Sequence, residues 1–447
     1  MISCIRSLAL AAAFLSVIPA FAVQGEEPQR LRIIIETDAG GDPDDEQSLV
    51  RFLLYVNEWD VEGIIANRPQ ARDGENLNTE RTGLGIVRRM VAAYGACYDK
   101  LQQHDPRYPA PEKLLARVVP GYDDREDGVR LIIKAVDRDD PRPVWFCNWG
   151  TDKGAGVSCL MRALDQVRRE RGQDGYARFK NRLRLASDDQ FDEHTTSVDP
   201  PFPLWVDTFR PEINRQRWYH RFSALTAKAG GFDIERDVRT GHGPLGELYP
   251  TNTTHKQKEG DSGTFIYLIP NGLNSPDHPG WGGWAGRYGP MENMAGKPYY
   301  WANQADAWNG STHRENSLAR WAAHLQNDFA ARMDWCVRGR ADANHPPVVK
   351  VAGGLVRKVR SGESVTLDAS ATSDPDGNKL ALEWIVYPEA SGYGGATPTI
   401  DGHNAAKATL AAPAVKEPAS LHVVLTATDD GTPPLTRYAR VVLEIAP

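Results

Sequence analysis

The stretch Ile33-Ile34-Ile35-Glu36-Thr37-Asp38-Ala39-Gly40-Gly41-Asp42-Pro43-Asp44-Asp45-Glu46-Gln47-Ser48-Leu49 decides the fold. Leu31 to Ile35 is apolar and β-branched, which reads as a buried strand. From Asp45 to Glu58, residues Leu49, Phe52, Leu53 and Val56 recur on one helical face. The acidic loop between them lies at the carboxyl end of the strand, where open α/β sheets bind ligands. Helix chemistry explains part of it: Asp42 suits an N-cap, Pro43 the first helical position, and Asp44 and Asp45 the positive end of the helix dipole. Asp38 and the Gly40-Gly41 pair have no such explanation, and the glycines fold the loop so that several carboxylates converge. Hard oxygen ligands without Cys or His suit Ca²⁺ or Mg²⁺. We read the loop as a metal site, with simple capping as the alternative.

Outward from this unit the alternation continues. Strands are expected at Val61 to Ala66, Val144 to Asn148 and Leu183 to Ala186, and helices at Thr82 to Tyr94, Asp127 to Val136 and Val157 to Arg171. Strands this apolar belong to a mostly parallel sheet covered by helices on both faces. Phe265 to Ile269 reads as a further strand. Thr312-x-x-Glu315 reads as a capping box opening a last helix, with Leu318, Trp321, Leu325, Phe329 and Met333 as its apolar stripe. Beyond Arg338 the texture changes. Asn344-His345-Pro346-Pro347 reads as a stiff linker. Short alternating segments then follow, at Ser364 to Asp368, Ala381 to Val386, Lys407 to Leu410, Leu421 to Thr428 and Arg437 to Ile445. That is an all-β, immunoglobulin-like sandwich, with Trp384 as its core tryptophan. The expected organisation is a signal peptide over 1–22, an α/β domain over 23–340 and the sandwich over 346–447.

Composition narrows the function. The chain has 447 residues, 41% hydrophobic and 25% charged, with a net charge of −7. An ordinary globular balance with an acidic excess argues against a nucleic-acid partner. Arg6, the apolar stretch Leu8 to Val17 and Ala20-Phe21-Ala22 make a secretory signal, so a secreted or periplasmic location is expected, with no membrane partner. After Cys4 is removed with it, Cys97, Cys147, Cys159 and Cys336 allow up to two disulfides in any of three connectivities, and their spacing is no zinc pattern.

Ile33 to Leu49 resembles the N-terminal fingerprint of the nucleoside hydrolases, a strand running into an Asp-x-Asp-Pro-Gly-x-Asp-Asp loop that binds calcium. The whole chain resembles more closely a secreted bacterial family of cellulose-binding, nucleoside-hydrolase-like proteins. The matching residues include Gly40 to Leu49, Lys258-Glu259-Gly260-Asp261-Ser262, Pro270-Asn271-Gly272-Leu273-Asn274, His278-Pro279-Gly280-Trp281-Gly282-Gly283-Trp284 and Asn327 to Trp335. In the sandwich they are Ser373-Asp374-Pro375-Asp376-Gly377 and Asp429 to Tyr438. The resemblance implies a nucleoside-hydrolase-like sheet and a Ca²⁺ cofactor. Asp38 would bind the metal and activate water, Asp45 and Asp261 would complete the carboxylate shell, and Thr151 would lie where the family supplies a carbonyl ligand. Asp44 would contact sugar hydroxyls. The pattern also departs from the hydrolases. Asp45 lies seven positions after Asp38, Glu36 replaces an Asp, and Asp261 follows Gly260 rather than the His that protonates a departing base. His242 and His255 are near in the chain. Base specificity is therefore not inherited, and another glycosyl bond, in a plant-derived or other glycan or glycoside, is equally compatible.

Trp281, Trp284, Tyr288, Tyr299, Tyr300, Trp301 and Trp308 crowd a glycine-rich region without helical or strand period. Flat aromatic faces stack on sugar rings, although such residues also pin long loops to a core. Trp281 and Trp284, with Asn271, Asn274 and the strand-end Asp189, are the expected substrate contacts. Two functions follow: a calcium-dependent hydrolase of glycosyl bonds, or a non-catalytic cellulose- or glycan-binding protein that keeps the hydrolase fold.

Overall fold

The computed structural model describes residues 29–72, 80–122, 126–150, 158–187, 200–208, 231–251, 256–294 and 296–447. The signal segment, Thr151, Asp189 and His255 lie outside them. Strand β1 (Leu31–Thr37) sits inside an eight-stranded sheet with β2 (Trp59–Ala66), β3 (Val118–Pro120), β4 (Val144–Asn148), β5 (Leu183–Ser187), β6 (Trp205–Asp207), β7 (Gly289–Pro290) and β8 (Tyr299–Trp301). The order is β3-β2-β1-β4-β5-β6-β8-β7, parallel except for the β7–β8 pair. Ile33 and Ile35 enter one core while Ile34 enters the other, which is why β1 is continuously apolar.

Helices α1 (Asp44–Leu53) and α2 (Gly83–His104) cover the first face, followed in the chain by the short α3 (Pro111–Leu115). The opposite face is packed by α4 (Asp127–Asp137) and α5 (Cys159–Asn181). Then come α6 (Gly243–Glu247), α7 (Ser262–Ile266), the hairpin β9 (Asp306–Trp308) and β10 (Ser311–His313), α8 (Asn316–Ala319) and α9 (Ala322–Trp335). Two expectations fail here. Phe265 to Ile269 is not a strand; it forms the end of α7 and the turn after it, because a short buried apolar run carries no period that separates strand from helix. Thr312 caps nothing. The Asn309-Gly310 pair, both at positive φ, turns the chain into the hairpin and claims Thr312 for β10. The expected stripe Leu318, Trp321, Leu325, Phe329 and Met333 is nonetheless fully packed.

The C-terminal sandwich pairs a sheet of β11 (Val356–Arg360), β13 (Leu380–Val386), β16 (Ala419–Asp429) and β17 (Thr436–Ala446) with one of β12 (Ser364–Asp368), β14 (Ile400–Asp401) and β15 (Lys407–Ala411). Trp384 lies in its core. Asp374 closes an Asx turn onto the amides of Asp376 and Asn378, and Asp376 accepts from His345. All four described cysteines are free thiols, so none of the pairings the sequence allowed is formed; Cys97 and Cys336 are hydrogen-bonded neighbours across α2 and the end of α9.

The junction is no free linker. Asn344 and His345 are buried, and Asn344 donates to Asp429 at 2.9 Å while the indole of Trp335 donates to the Asn344 carbonyl. Tyr387, Val424 and Tyr438 of the sandwich belong to the same apolar cluster as Leu325 and Phe329. Arg440 crosses the seam to the carbonyls of Leu273 and Gly282 at 3.0 and 2.9 Å, and Tyr387 donates to the Asp306 carboxylate. The composition changes at the junction, but the core does not stop there. Removing the Tyr387 hydroxyl in Tyr387→Phe deletes a buried bond to a charged group, so the whole chain should lose about 1.5–3 kcal/mol of stability in denaturant titrations. Calorimetry should still show one transition for both parts. Two separated transitions would contradict a shared core.

Candidate metal centre at the strand ends

Strands β1 and β4 are adjacent at the point where the sheet order reverses, and the loops after both meet there. Gly40 has φ +97°, and a side chain on it would also meet Ile86 and Ala71 at 3.0–3.1 Å. Gly150 has φ +149°, and a Cβ there would stand 3.0 Å from Asp38 Oδ1. These two glycines let the two loops close on Asp38. The Asn67 side chain donates to the Gly150 carbonyl at 2.7 Å, and the Trp149 amide to the Glu36 carbonyl at 2.9 Å.

Asp44, Asp45 and Asp261 bring one carboxylate oxygen each within 4.8 Å of one another. Asp45 is held by the Thr37 hydroxyl and, at 3.1 Å, by the Asp38 amide. Asp44 is partly exposed overall, but its carboxylate is hemmed in by protein. Burial, then the charge of Asp42, pushes the Asp44 carboxyl from its ordinary 3.8 up to about 7. Asp45 is driven well above the usual range by burial and then by Asp261, Asp38 and Asp44. Asp38 stands at the edge of this group rather than within the closest triad, and its Oδ2 accepts from the Arg68 guanidinium at 3.1 Å. Asp42 is not the helix cap; Pro43 takes that place, and Asp42 pairs with Lys258.

Asp261 reaches the cluster because α1 holds the segment before it. Gln47, fully buried, accepts from the amides of Lys258 and Glu259 at 2.7 and 3.1 Å and donates to the carbonyls of Pro250 and Lys256. One helical turn on, Arg51 forms a two-point ion pair with Glu259, and neither residue has exposed surface. Tyr249, Gln257 and Ser262 also donate to the Glu259 carboxylate. Trp149 closes the other side, donating to Thr264, whose hydroxyl donates to the Asp261 carbonyl. Gln47, Arg51, Glu259 and Arg68 had no role in the sequence reading. The sequence carries no signal for Gln47 and Arg51, which lie on the helical face opposite Leu49, Leu53 and Val56, where polar residues normally meet water.

The other expected contacts have structural duties. Asn271 accepts from the amides of Leu273 and Asn274, and Asn274 binds the carbonyls of Ile266 and Ile269 and the Trp284 amide. Trp284 is fully buried and donates to Tyr438. Trp281 is stacked on His278 and met edge-on by His422. The expected sugar wall is thus dispersed: its rings fill the core around β8 and the seam because the glycines let them turn inward. Trp308 alone among those rings stays exposed. His242, in contact with the Arg236 carbonyl and Asp334, serves the α9 side.

A mostly parallel sheet with this acidic crossing of β1 and β4 defines a nucleoside-hydrolase-like protein. Residues 32–288 match the family described as "Cellulose-binding Sde182, nucleoside hydrolase-like domain", and residues 364–445 match "Cellulose-binding protein Sde0182, C-terminal domain". The chain belongs to this cellulose-binding, nucleoside-hydrolase-like family. It is similar, at 30% identity and a TM-score of 0.72 over 94% of this chain and 100% of the other, to a nucleoside hydrolase-related protein from Saccharophagus degradans that is associated with carbohydrate metabolism. A PKD domain from the KIAA 1837 protein aligns with 22% of this chain and 89% of its own at 20% identity, with a TM-score of only 0.16. No curated protein matches the chain.

The raised Asp44 carboxyl has a consequence for stability without divalent ions. The folded state binds this proton more tightly than the unfolded chain, so its contribution is fully present below about pH 4 and is lost as pH rises through about 7. In chelator, Asp44→Asn should therefore melt above the wild type at pH 8, with the advantage shrinking toward pH 4. A variant that melts below the wild type at pH 8 would show that the carboxylates do not repel.

Proposed function

We propose that the protein is a secreted or periplasmic, Ca²⁺-dependent hydrolase of glycosyl bonds in a glycan or glycoside. The convergence of Asp44, Asp45 and Asp261 at the sheet's crossing point carries this reading. The donor set fits the ion: the three side-chain donors are hard carboxylate oxygens, and a divalent cation would offset the burial and the mutual repulsion that raise Asp44 and Asp45. Asp45 and Asp261 would hold it with Asp38 or Asp44, and Thr151 is proposed as a backbone ligand. Bound calcium supplies a fixed positive charge that orients hydroxyls and acidifies water. Asp38, which follows β1, would take the proton of an attacking water, with Arg68 holding one of its oxygens. Asp44, at the partly open lip, is placed to accept from sugar hydroxyls, and the negative cluster favours an oxocarbenium-like centre.

One observation favours a second reading. The Arg68–Asp38 ion pair occupies one of the carboxylate oxygens that a general base would turn toward water, and it suits a glycan-binding protein that keeps the fold without turnover. A screen of nucleosides and plant-wall oligosaccharides for released sugar, with calcium and with chelator, separates the two. The hydrolase reading expects calcium-dependent release that falls about a hundredfold to ten-thousandfold in a folded Asp38→Ala variant. Binding without release from any substrate would replace it with the binding reading.

A further inference from the structure

We propose that the seam between the two domains carries a carbohydrate site, a groove for a neutral polysaccharide chain with the Trp308 indole as its stacking platform. The proposal rests on the glycan reading of the family and adds where the polymer is held. A cavity of about 350 Å³ opens between the α/β domain and the exposed face of β13, with Trp308, Arg320, Trp321 and His324 on one side and Glu383 and Thr428 among the residues on the other. This is within the usual range for small-ligand sites, and it shares no residue with the carboxylate cluster.

Trp308 is 37% exposed and is the one aromatic among the large hydrophobic side chains left open in the described residues. A single exposed apolar residue is ordinary. This one is presented on a fixed support. The Ala307 amide donates to Glu389 at 2.9 Å, and the Asn316 side chain donates to the carbonyls of Asp306 and Ser311 at 3.0 Å each. Tyr387 of the sandwich holds the Asp306 carboxylate from below. The hairpin is therefore clamped at its base by both domains, so little ordering is left for a ligand to impose on its backbone.

The chemistry of the walls disfavours an anionic ligand, since the one arginine there is neutralised and Glu383 adds a carboxylate. Arg320 is balanced by Asp306 at 3.5 Å and Glu389 at 3.8 Å, and its guanidinium lies over the rings of Trp321 and Tyr387. Burial lowers the His324 imidazole to about 4, so at neutral pH it is an uncharged hydrogen-bonding group, already engaged with the Tyr438 hydroxyl. The Trp321 indole N–H, in the same wall, has no hydrogen-bond partner among the described residues. The Trp308 indole face, a neutral imidazole and threonine hydroxyls match the apolar C–H faces and equatorial hydroxyls of a β-linked glucan. A polyanion finds no unbalanced cation here.

Full-length protein is to be tested by depletion onto insoluble cellulose and by calorimetry with cellohexaose, using wild type, Trp308→Ala and Trp308→Phe of unchanged melting temperature. The groove requires that wild type binds, that Trp308→Ala weakens binding about tenfold, in line with one lost aromatic contact, and that Trp308→Phe retains most of it. Chelator should leave this binding unchanged. Equal binding by wild type and Trp308→Ala would overturn the groove while leaving the glycan reading intact. Failure of the wild type to bind either probe would overturn the groove and the cellulose-binding reading together, without touching hydrolysis of small glycosides.

Discussion

The Arg51–Glu259 ion pair is the constraint on which the site depends. Two charges with no exposed surface are tolerated inside a protein when they are paired and matched by further hydrogen bonds, and removing one partner of such a pair costs about 3–5 kcal/mol. Here the matching is done by Tyr249, Gln257, Ser262 and Gln326, while the guanidinium also lies 3.7 Å from the centre of the Phe329 ring. The pair ties α1 to a segment more than two hundred residues away and to α9. It also holds Glu259 at a φ of 43°, a left-handed conformation that is costly for a residue with a side chain. Asp261 stands two residues beyond that bend, and its place beside Asp45 follows from it.

The same logic explains why a cluster of like charges persists. Asp45 is fixed by the Thr37 hydroxyl and by the backbone amide of Asp38, and Gly150 leaves room for Asp38 beside it. Arg68 and Lys258 engage Asp38 and Asp42 at the margins, which leaves Asp44, Asp45 and Asp261 facing one another. That maintained repulsion at a sheet crossing point is the observation on which the proposed cation rests. The second domain contributes rigidity from the opposite side, since Tyr387, Tyr438 and Arg440 enter the core that α9 completes.

Much of this was legible in the sequence, and the limits were physical. The strands of the sheet were visible because burial on both faces makes them continuously apolar, and the sandwich because its strands alternate. Asp38 stood out as an acid that helix capping does not explain, whereas the roles of Asp44, Asp45 and Asp261 came from the family resemblance. Gln47, Arg51 and Glu259 did not stand out, because polar residues on a helix normally face water, and only the tertiary fold shows that these face one another. Asn271, Asn274 and Trp284 looked like ligand contacts, but side-chain amides close turns as readily as they bind hydroxyls, and glycine-rich loops can fold their aromatics inward. The Asn309-Gly310 turn is a strong hairpin signal and prevails over the capping pattern of Thr312 and Glu315.

The central claim is that the Asp44, Asp45 and Asp261 carboxylates share one cation. A crystal structure of the protein grown with terbium, a trivalent stand-in for calcium with strong anomalous scattering, tests it directly. The account predicts one dominant anomalous peak among these three residues, with oxygen distances of roughly 2.3–2.6 Å. A map with no peak there, or with the ion held only at the surface, would contradict it.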